Sequence, residues 1–115
     1  MNTETKELLE MAAKAMELAV QYWEYGKLKI MRSNDEIEWV DEWNPLNSAD
    51  DLIEMECQML VCVAMDDDGV GAITPLNIES DALEKFSNHP TRRAARAMAS
   101  LRVVAEIGRR MGEEE

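Results

Sequence analysis

The sequence predicts an α+β fold: a small antiparallel sheet, made of a hairpin plus a short edge strand, packed by three helices in one compact domain spanning residues 1–115. Three observations carry this. Two segments repeat apolar residues at helical spacing, residues 27–40 alternate with a period of two, and Pro90 and Gly112 bracket a third helix. The 115 residues suit one domain. A chain of this size buries roughly two-thirds of its unfolded surface, enough for one modest core without disulfides or metal.

The first helix is expected over residues 4–20, where Leu8, Ala12, Ala15, Met16 and Ala19 recur at three- and four-residue spacing, with Trp23 beyond on the same face. Gly26 punctuates, and Lys27-Leu28-Lys29-Ile30-Met31-Arg32 alternates apolar with basic, the pattern of a half-buried strand. Ser33-Asn34-Asp35 is turn chemistry, and Glu36-Ile37-Glu38-Trp39-Val40 resumes the period of two, completing a hairpin. Its outer face is expected to bring Lys27 and Lys29 near Glu36 and Glu38, an opposite-charge arrangement across strands.

Pro45 cannot continue a central strand because it lacks a backbone donor. Ser48 is a suitable N-cap, and Asp51 three residues on completes a capping-box-like pattern at the start of a helix over residues 49–63. Its broad stripe of Leu52, Met55, Met59, Leu60 and Val63 marks a helix packed on a sheet. Asp66-Asp67-Asp68-Gly69 is expected to end it. Residues 72–78 hold the short edge strand and residues 80–86 a helical turn. Pro90 suits the first turn of a last helix that runs to Met111, where Gly112 stops it and leaves residues 112–115 as a disordered acidic tail.

Charge is distributed unevenly. The chain carries 24 Asp and Glu against 12 Lys and Arg, a net charge of -12. So acidic a protein is repelled by phosphate backbones and anionic lipid, which argues against direct nucleic-acid or membrane binding. Residues 33–84 contain 15 acids and no Lys or Arg, whereas the last helix holds Arg92, Arg93, Arg96, Arg102, Arg109 and Arg110 with one acid, Glu106. Either these arginines pair with acids of the same molecule, or basic helix meets acidic face in a homo-oligomer. The longest apolar run, residues 59–65, is too short to span a membrane, and the N-terminus lacks a secretory pattern. Cys57 and Cys62, five apart on one expected helix, point about 140° away from each other and read as buried free thiols of a reducing cytoplasm.

Candidate chemistry mostly fails on spacing. With Gly69 at position 6 of a calcium loop, the first and last ligand positions fall on Ala64 and Pro75, so Asp66, Asp67 and Asp68 do not form an EF-hand. His89, the one histidine, precedes Pro90 and is expected to cap a helix; no Ser-His-Asp set is credible around it. No phosphate-binding glycine motif occurs, and neither a metal nor a cofactor is expected. Trp39 and Trp43 flank Asp41-Glu42 at a strand exit, where core packing is favoured and an aromatic platform is the sharper alternative.

The stretch Trp43-Asn44-Pro45-Leu46-Asn47-Ser48-Ala49-Asp50-Asp51-Leu52 is similar to the Trp-Asn-Pro-Leu element of a family of small bacteriophage proteins with a phage α/β/α-sandwich domain. Pro90-Thr91-Arg92-Arg93-Ala94-Ala95-Arg96 and Ala105-Glu106-Ile107-Gly108-Arg109-Arg110-Met111 resemble that family's last helix, and Leu8-Leu9-Glu10-Met11-Ala12-Ala13-Lys14-Ala15 its first. Asn47-Ser48-Ala49 departs from the family's usual Thr-Asp-Asp-Gly, changing the cap. The resemblance implies a phage or prophage accessory protein in bacterial cytoplasm and brings no catalytic residues.

Two functions are therefore expected to compete. In the first, a non-enzymatic antagonist of host defence, such as an anti-CRISPR, presents Asp35, Glu36, Glu38, Asp41, Glu42, Asp66, Asp67 and Asp68 to a basic host defence protein or nucleoprotein. In the second, a sponge for a nucleotide signal uses Trp39, Trp43, Arg92, Arg93 and Arg96, since guanidinium forks suit phosphates and indoles stack on bases.

Overall fold

In the computed structural model, which describes residues 3–114 and the side chains of all of these except 77–80 and 113–114, the α+β class holds with three helices. The N-terminal Met1-Asn2 and the last residue of the expected tail, Glu115, lie outside the described residues. The strands number six rather than three, in two antiparallel sheets of three. The chain order is α1 (Thr3–Ala15), β1 (Ala19–Glu24), β2 (Lys27–Ser33), β3 (Glu38–Glu42), α2 (Ala49–Gln58), β4 (Cys62–Met65), β5 (Gly69–Thr74), β6 (Asn77–Lys85), a 3-10 turn (Phe86–Asn88) and α3 (Arg92–Glu114).

Both early helices end sooner than their apolar stripes suggest, and for one reason. At the end of α1, Leu18 N–H donates to Ala13 O and Glu17 N–H to Lys14 O, with Glu17 at φ 58°. At the end of α2, Val61 N–H donates to Glu56 O and Leu60 N–H to Cys57 O, with Leu60 at φ 54°. Each is a Schellman turn whose left-handed residue is ordinarily glycine. Here glutamate and leucine hold those places, so no glycine marks either stop. The chain then extends into β1 and β4. Cys57 and Cys62 consequently sit on different elements, α2 and β4, and both are exposed rather than buried, because neither lies on a core-facing stripe.

The first sheet has the order β1-β2-β3. Tyr25 (φ 50°) and Gly26 (φ 75°) form the β1–β2 turn, the two left-handed residues that a tight hairpin of this hand requires. The β2–β3 register sets Lys29 opposite Glu42 and Ser33 opposite Glu38. The expected pairing of Lys27 and Lys29 with Glu36 and Glu38 is thus corrected: Lys27 Nζ lies 3.8 Å from Glu42, and Glu36 is in the turn, where Asn34 Oδ1 accepts from the Glu36 and Ile37 amides.

The second sheet has the order β4-β5-β6. Asp66-Asp67-Asp68 forms the β4–β5 hairpin turn rather than a helix stop, with Asp66 Oδ1 accepting from the Asp68 and Gly69 amides. The expected edge strand is divided between the central β5 and β6, and the expected helical turn at residues 80–86 is the second half of β6 followed by the 3-10 turn. His89 caps no helix by its side chain; its Nε2 sits 2.9 Å from Glu84 Oε1. The last helix passes Gly112 and continues to Glu114, so an i→i+4 ladder replaces most of the expected tail.

Helix α3 is the wall shared by two cores. Ala97, Leu101, Val104 and Ala105 pack with Leu9, Ala12 and Ala13 of α1, Leu28 and Ile30 of β2, and Leu52 and Met55 of α2. Ala95, Ala99 and Val103, at i, i+4 and i+8, pack on Val70 and Ala72 of β5. The small residues let its neighbours come close. Gly108 permits the closest approach, because a Cβ there would overlap the Met11 carbonyl of α1. Burial of each large side chain such as Leu101 contributes about 1.5–3 kcal/mol.

An acidic cleft around Arg32 as candidate functional site

Trp43 seeds the site by leaving the surface. Its N–H donates to Leu28 O, continuing the sheet by one bond, and its ring is fully buried. Pro45 is also buried and turns the chain, while Asn44 Oδ1 accepts from Leu46 N–H and Asn44 O accepts from the Asn47 and Ser48 amides. Ser48 then caps α2, its Oγ accepting from Asp51 N–H at 3.2 Å. Asp51 does not return the bond to Ser48. Its Oδ2 accepts instead from Asn44 N–H at 2.9 Å, which ties the helix start to the strand exit.

This turn places the first turns of α2 beside the end of β3. Asp41, Glu42, Asp50, Asp51 and Glu54 converge with Asn44, Asn47 and Ser48 on a cleft of about 520 Å³ that contains one cation, Arg32 of β2. Arg32 Nε donates to Asp41 Oδ2 at 2.8 Å, and its two terminal nitrogens each donate to Glu54 at 3.3 Å. Asp51 Oδ1 lies 3.8 Å from Arg32 Nη2.

The electrostatics follow from crowding three carboxylates, Asp41, Asp51 and Glu54, around one guanidinium. Burial opposes the charge of Arg32, but the hydrogen bonds and attraction of Glu54, then of Asp41, outweigh it and hold its pKa above the ordinary value. Burial pushes the Asp51 carboxyl up, against the Asn44 amide and Arg32, which favour its ionised form; Glu54 and Asp41 add to the upward push by like-charge repulsion. The guanidinium in the cleft is the chain's own Arg32, held by Asp41 and Glu54. No group of three or more His, Cys, Asp or Glu side chains among the described residues is arranged to hold a metal ion.

Of the acidic residues expected to act together, the structure unites only some. Asp41 and Glu42 line the cleft; Asp35 and Glu36 occupy the neighbouring β2–β3 turn, and Glu38 the start of β3. Asp66, Asp67 and Asp68 belong to the other sheet, where Asp67 and Asp68 line a separate hollow with Lys85, Phe86 and Ser87. Arg32, Asp50, Asp51 and Glu54 are the additions. Their signal was the spacing of Asp51 and Glu54 at i, i+3 on a helix that starts just after Asp41-Glu42.

The five residues of the expected nucleotide pocket are not brought together. Trp43 is in the core with no partner for its indole Nε1 among the described residues, and its buried ring offers no stacking platform. Trp39 stands opposite Arg32 in the β2–β3 ladder and lines a shallow hollow with Glu17, Leu18 and Met31. Arg92 lies over the Phe86 ring at 4.8 Å, and Arg93 is exposed at the start of α3. Arg96 is bidentate to Glu56 of α2. Other arginines of α3 are likewise met from inside the molecule, Arg102 by Glu4 and Glu84, Arg109 and Arg110 by Glu106.

No helix is long and apolar enough to cross a membrane among the described residues. Compared with protein-family models, curated proteins and solved structures, the chain matches none.

Proposed function

We propose that the protein is a non-enzymatic binder that presents the Arg32 cleft and the adjoining β2–β3 turn to a basic protein surface. The observation that carries this reading is an open cleft lined by five carboxylates, three of which gather on the Arg32 guanidinium. A field of that sign attracts lysine and arginine side chains and steers them at long range. The resemblance of Trp43-Asn44-Pro45-Leu46 and of α3 to the phage family supplies the setting: an accessory protein in the cytoplasm of a bacterial host, directed at the nucleic-acid-binding surface of a defence protein or nucleoprotein, as an anti-CRISPR is. The sponge alternative has no supporting geometry, since its tryptophans and arginines lie apart.

The test is a pull-down from a bacterial host lysate, repeated with the triple variant Asp35→Lys, Glu42→Lys, Asp50→Lys. A nucleoprotein retained by the wild type, released near 1 M salt where the screening length falls to about 3 Å, and lost with the variant is the expected result. Retention indifferent to both salt and the reversals, but abolished by Arg92→Ala with Arg93→Ala, overturns the reading. Arg96→Ala is unsuitable as a probe because it strands the Glu56 carboxylate.

A further inference from the structure

The far edge of β6 is an open strand edge with a self-complementary row of side chains, and we propose that it pairs with the same edge of a second copy of this chain. The β5–β6 register, with Phe86 N–H donating to Asp68 O, sets the alternation of the ladder. Glu84 and Ala82 turn their backbone groups toward β5, so the N–H and C=O groups of Asp81, Leu83 and Lys85 point away from it. That edge borders a cavity of about 440 Å³ between β6, α1 and α3. Asp81, Leu83 and Lys85 also share the outer face of the sheet, and all three are exposed.

Leu83 is 75% exposed for a visible reason: its cross-strand neighbour is Gly71, which has no side chain to lean on. Neither Asp81 nor Lys85 has an ion-pair partner among the described residues. A two-fold axis through Leu83 in an antiparallel pairing answers all three. Leu83 meets Leu83 of the second copy, Asp81 meets Lys85, and Lys85 meets Asp81. The same residues are those whose backbone groups are free to bond, so the register that pairs the charges is one that closes the ladder. The interface is isologous and joins two three-stranded sheets into one of six. An unguarded edge is ordinarily a hazard; here the order acid, leucine, base admits one register and penalises a slip of two residues, which sets charge against leucine. None of these residues belongs to the Arg32 cleft, so this inference stands apart from the proposed function.

The experiment is sedimentation equilibrium on the full chain at concentrations up to about 100 μM, the range in which a small polar edge contact is populated. A dimer is expected. Asp81→Lys or Lys85→Asp alone should weaken it at least about tenfold by setting like charges opposite each other. The double exchange Asp81→Lys with Lys85→Asp should restore it, with circular dichroism confirming the fold of each variant. Independently, Leu83→Cys in a Cys57→Ser, Cys62→Ser background should form a Leu83-position disulfide between copies under mild oxidation, because a hydrogen-bonded antiparallel pair holds its Cα atoms about 5.5 Å apart. A monomer throughout this range, a dimer unmoved by the single reversals, or failure of the double exchange to rescue it overturns the proposal.

Discussion

Arg96 closes over the buried carboxylate of Glu56 with two parallel hydrogen bonds, 3.1 and 2.8 Å long, and fastens α2 to α3. Ser100 Oγ, also buried, donates to the same carboxylate at 2.7 Å. The partners differ in exposure: the Glu56 side chain is 8% exposed and that of Arg96 43%. Removing the arginine therefore leaves a charge in the interior, whereas removing the acid releases a guanidinium that can turn to water.

Arg96→Ala should accordingly cost about 2 kcal/mol or more, discounted from the fully buried case for the exposure of the arginine. Glu56→Gln should cost about 1 kcal/mol in the wild type, since the amide keeps an acceptor for Ser100. In the Arg96→Ala background the same change should be neutral or stabilising. A double-mutant cycle by urea unfolding measures the coupling; additive effects would show that the pair does not act as a unit.

Gly108→Ala should destabilise the protein although it sits in a helix, where alanine ordinarily gains up to about 1 kcal/mol over glycine. The added methyl overlaps the Met11 carbonyl, so α1 and α3 must separate, at about 1–3 kcal/mol. Gly71→Ala is the control, because its Cβ would come no nearer than 3.8 Å to Ala82 O. Thermal unfolding of both variants checks the contrast.

Glu17→Gly and Leu60→Gly should each stabilise, by about 0.5–1 kcal/mol. A left-handed conformation costs a side-chain-bearing residue roughly 1–2 kcal/mol, and the greater freedom of glycine in the unfolded chain returns part of that gain. A fall in the urea midpoint for either variant would mean that the side chain contributes more than the backbone strain removes.

Acid should loosen the fold through Glu106 and Asp66 and be partly opposed by Asp51. The hydrogen bond from Arg109 holds the Glu106 carboxyl below its ordinary 4.5, with Arg110 assisting and burial opposing. The Asp68 and Gly69 amides hold Asp66 below 3.8. Stability from these two is present above those ordinary values and is lost as pH falls through the depressed ones. Asp51 has the opposite sign: burial raises its pKa, so its contribution is full below 3.8 and is lost as pH rises through the raised value. In melting curves between pH 3 and 6, Glu106→Gln should flatten the acid slope and Asp51→Asn should steepen it.

The sequence by itself determined the α+β class, the number of helices, the β2–β3 hairpin and the capped start of α2. Each of these rests on a signal within a few residues: the period of two from Lys27 to Arg32, Pro90 just before α3, or Ser48 placed three before Asp51. Where α1 and α2 end was decided by tertiary packing. Glu17 and Leu60 lack the glycine that would announce a left-handed turn, and the chain adopts it because Gln58 Nε2 donates to Met16 O and Thr74 Oγ1 to Met59 O once the elements dock. The missed β1 and β4 follow directly from those two stops. The candidate site shows the same division. Acidity between residues 33 and 84 is visible in the composition, but the choice of Asp41, Asp51 and Glu54 as neighbours of Arg32 depends on register and helix angle, which bring together residues up to 22 apart in the chain. Pairing of the α3 arginines with Glu4, Glu56 and Glu84 was likewise decided in three dimensions, because a charge is neutralised by whatever lies nearest in space.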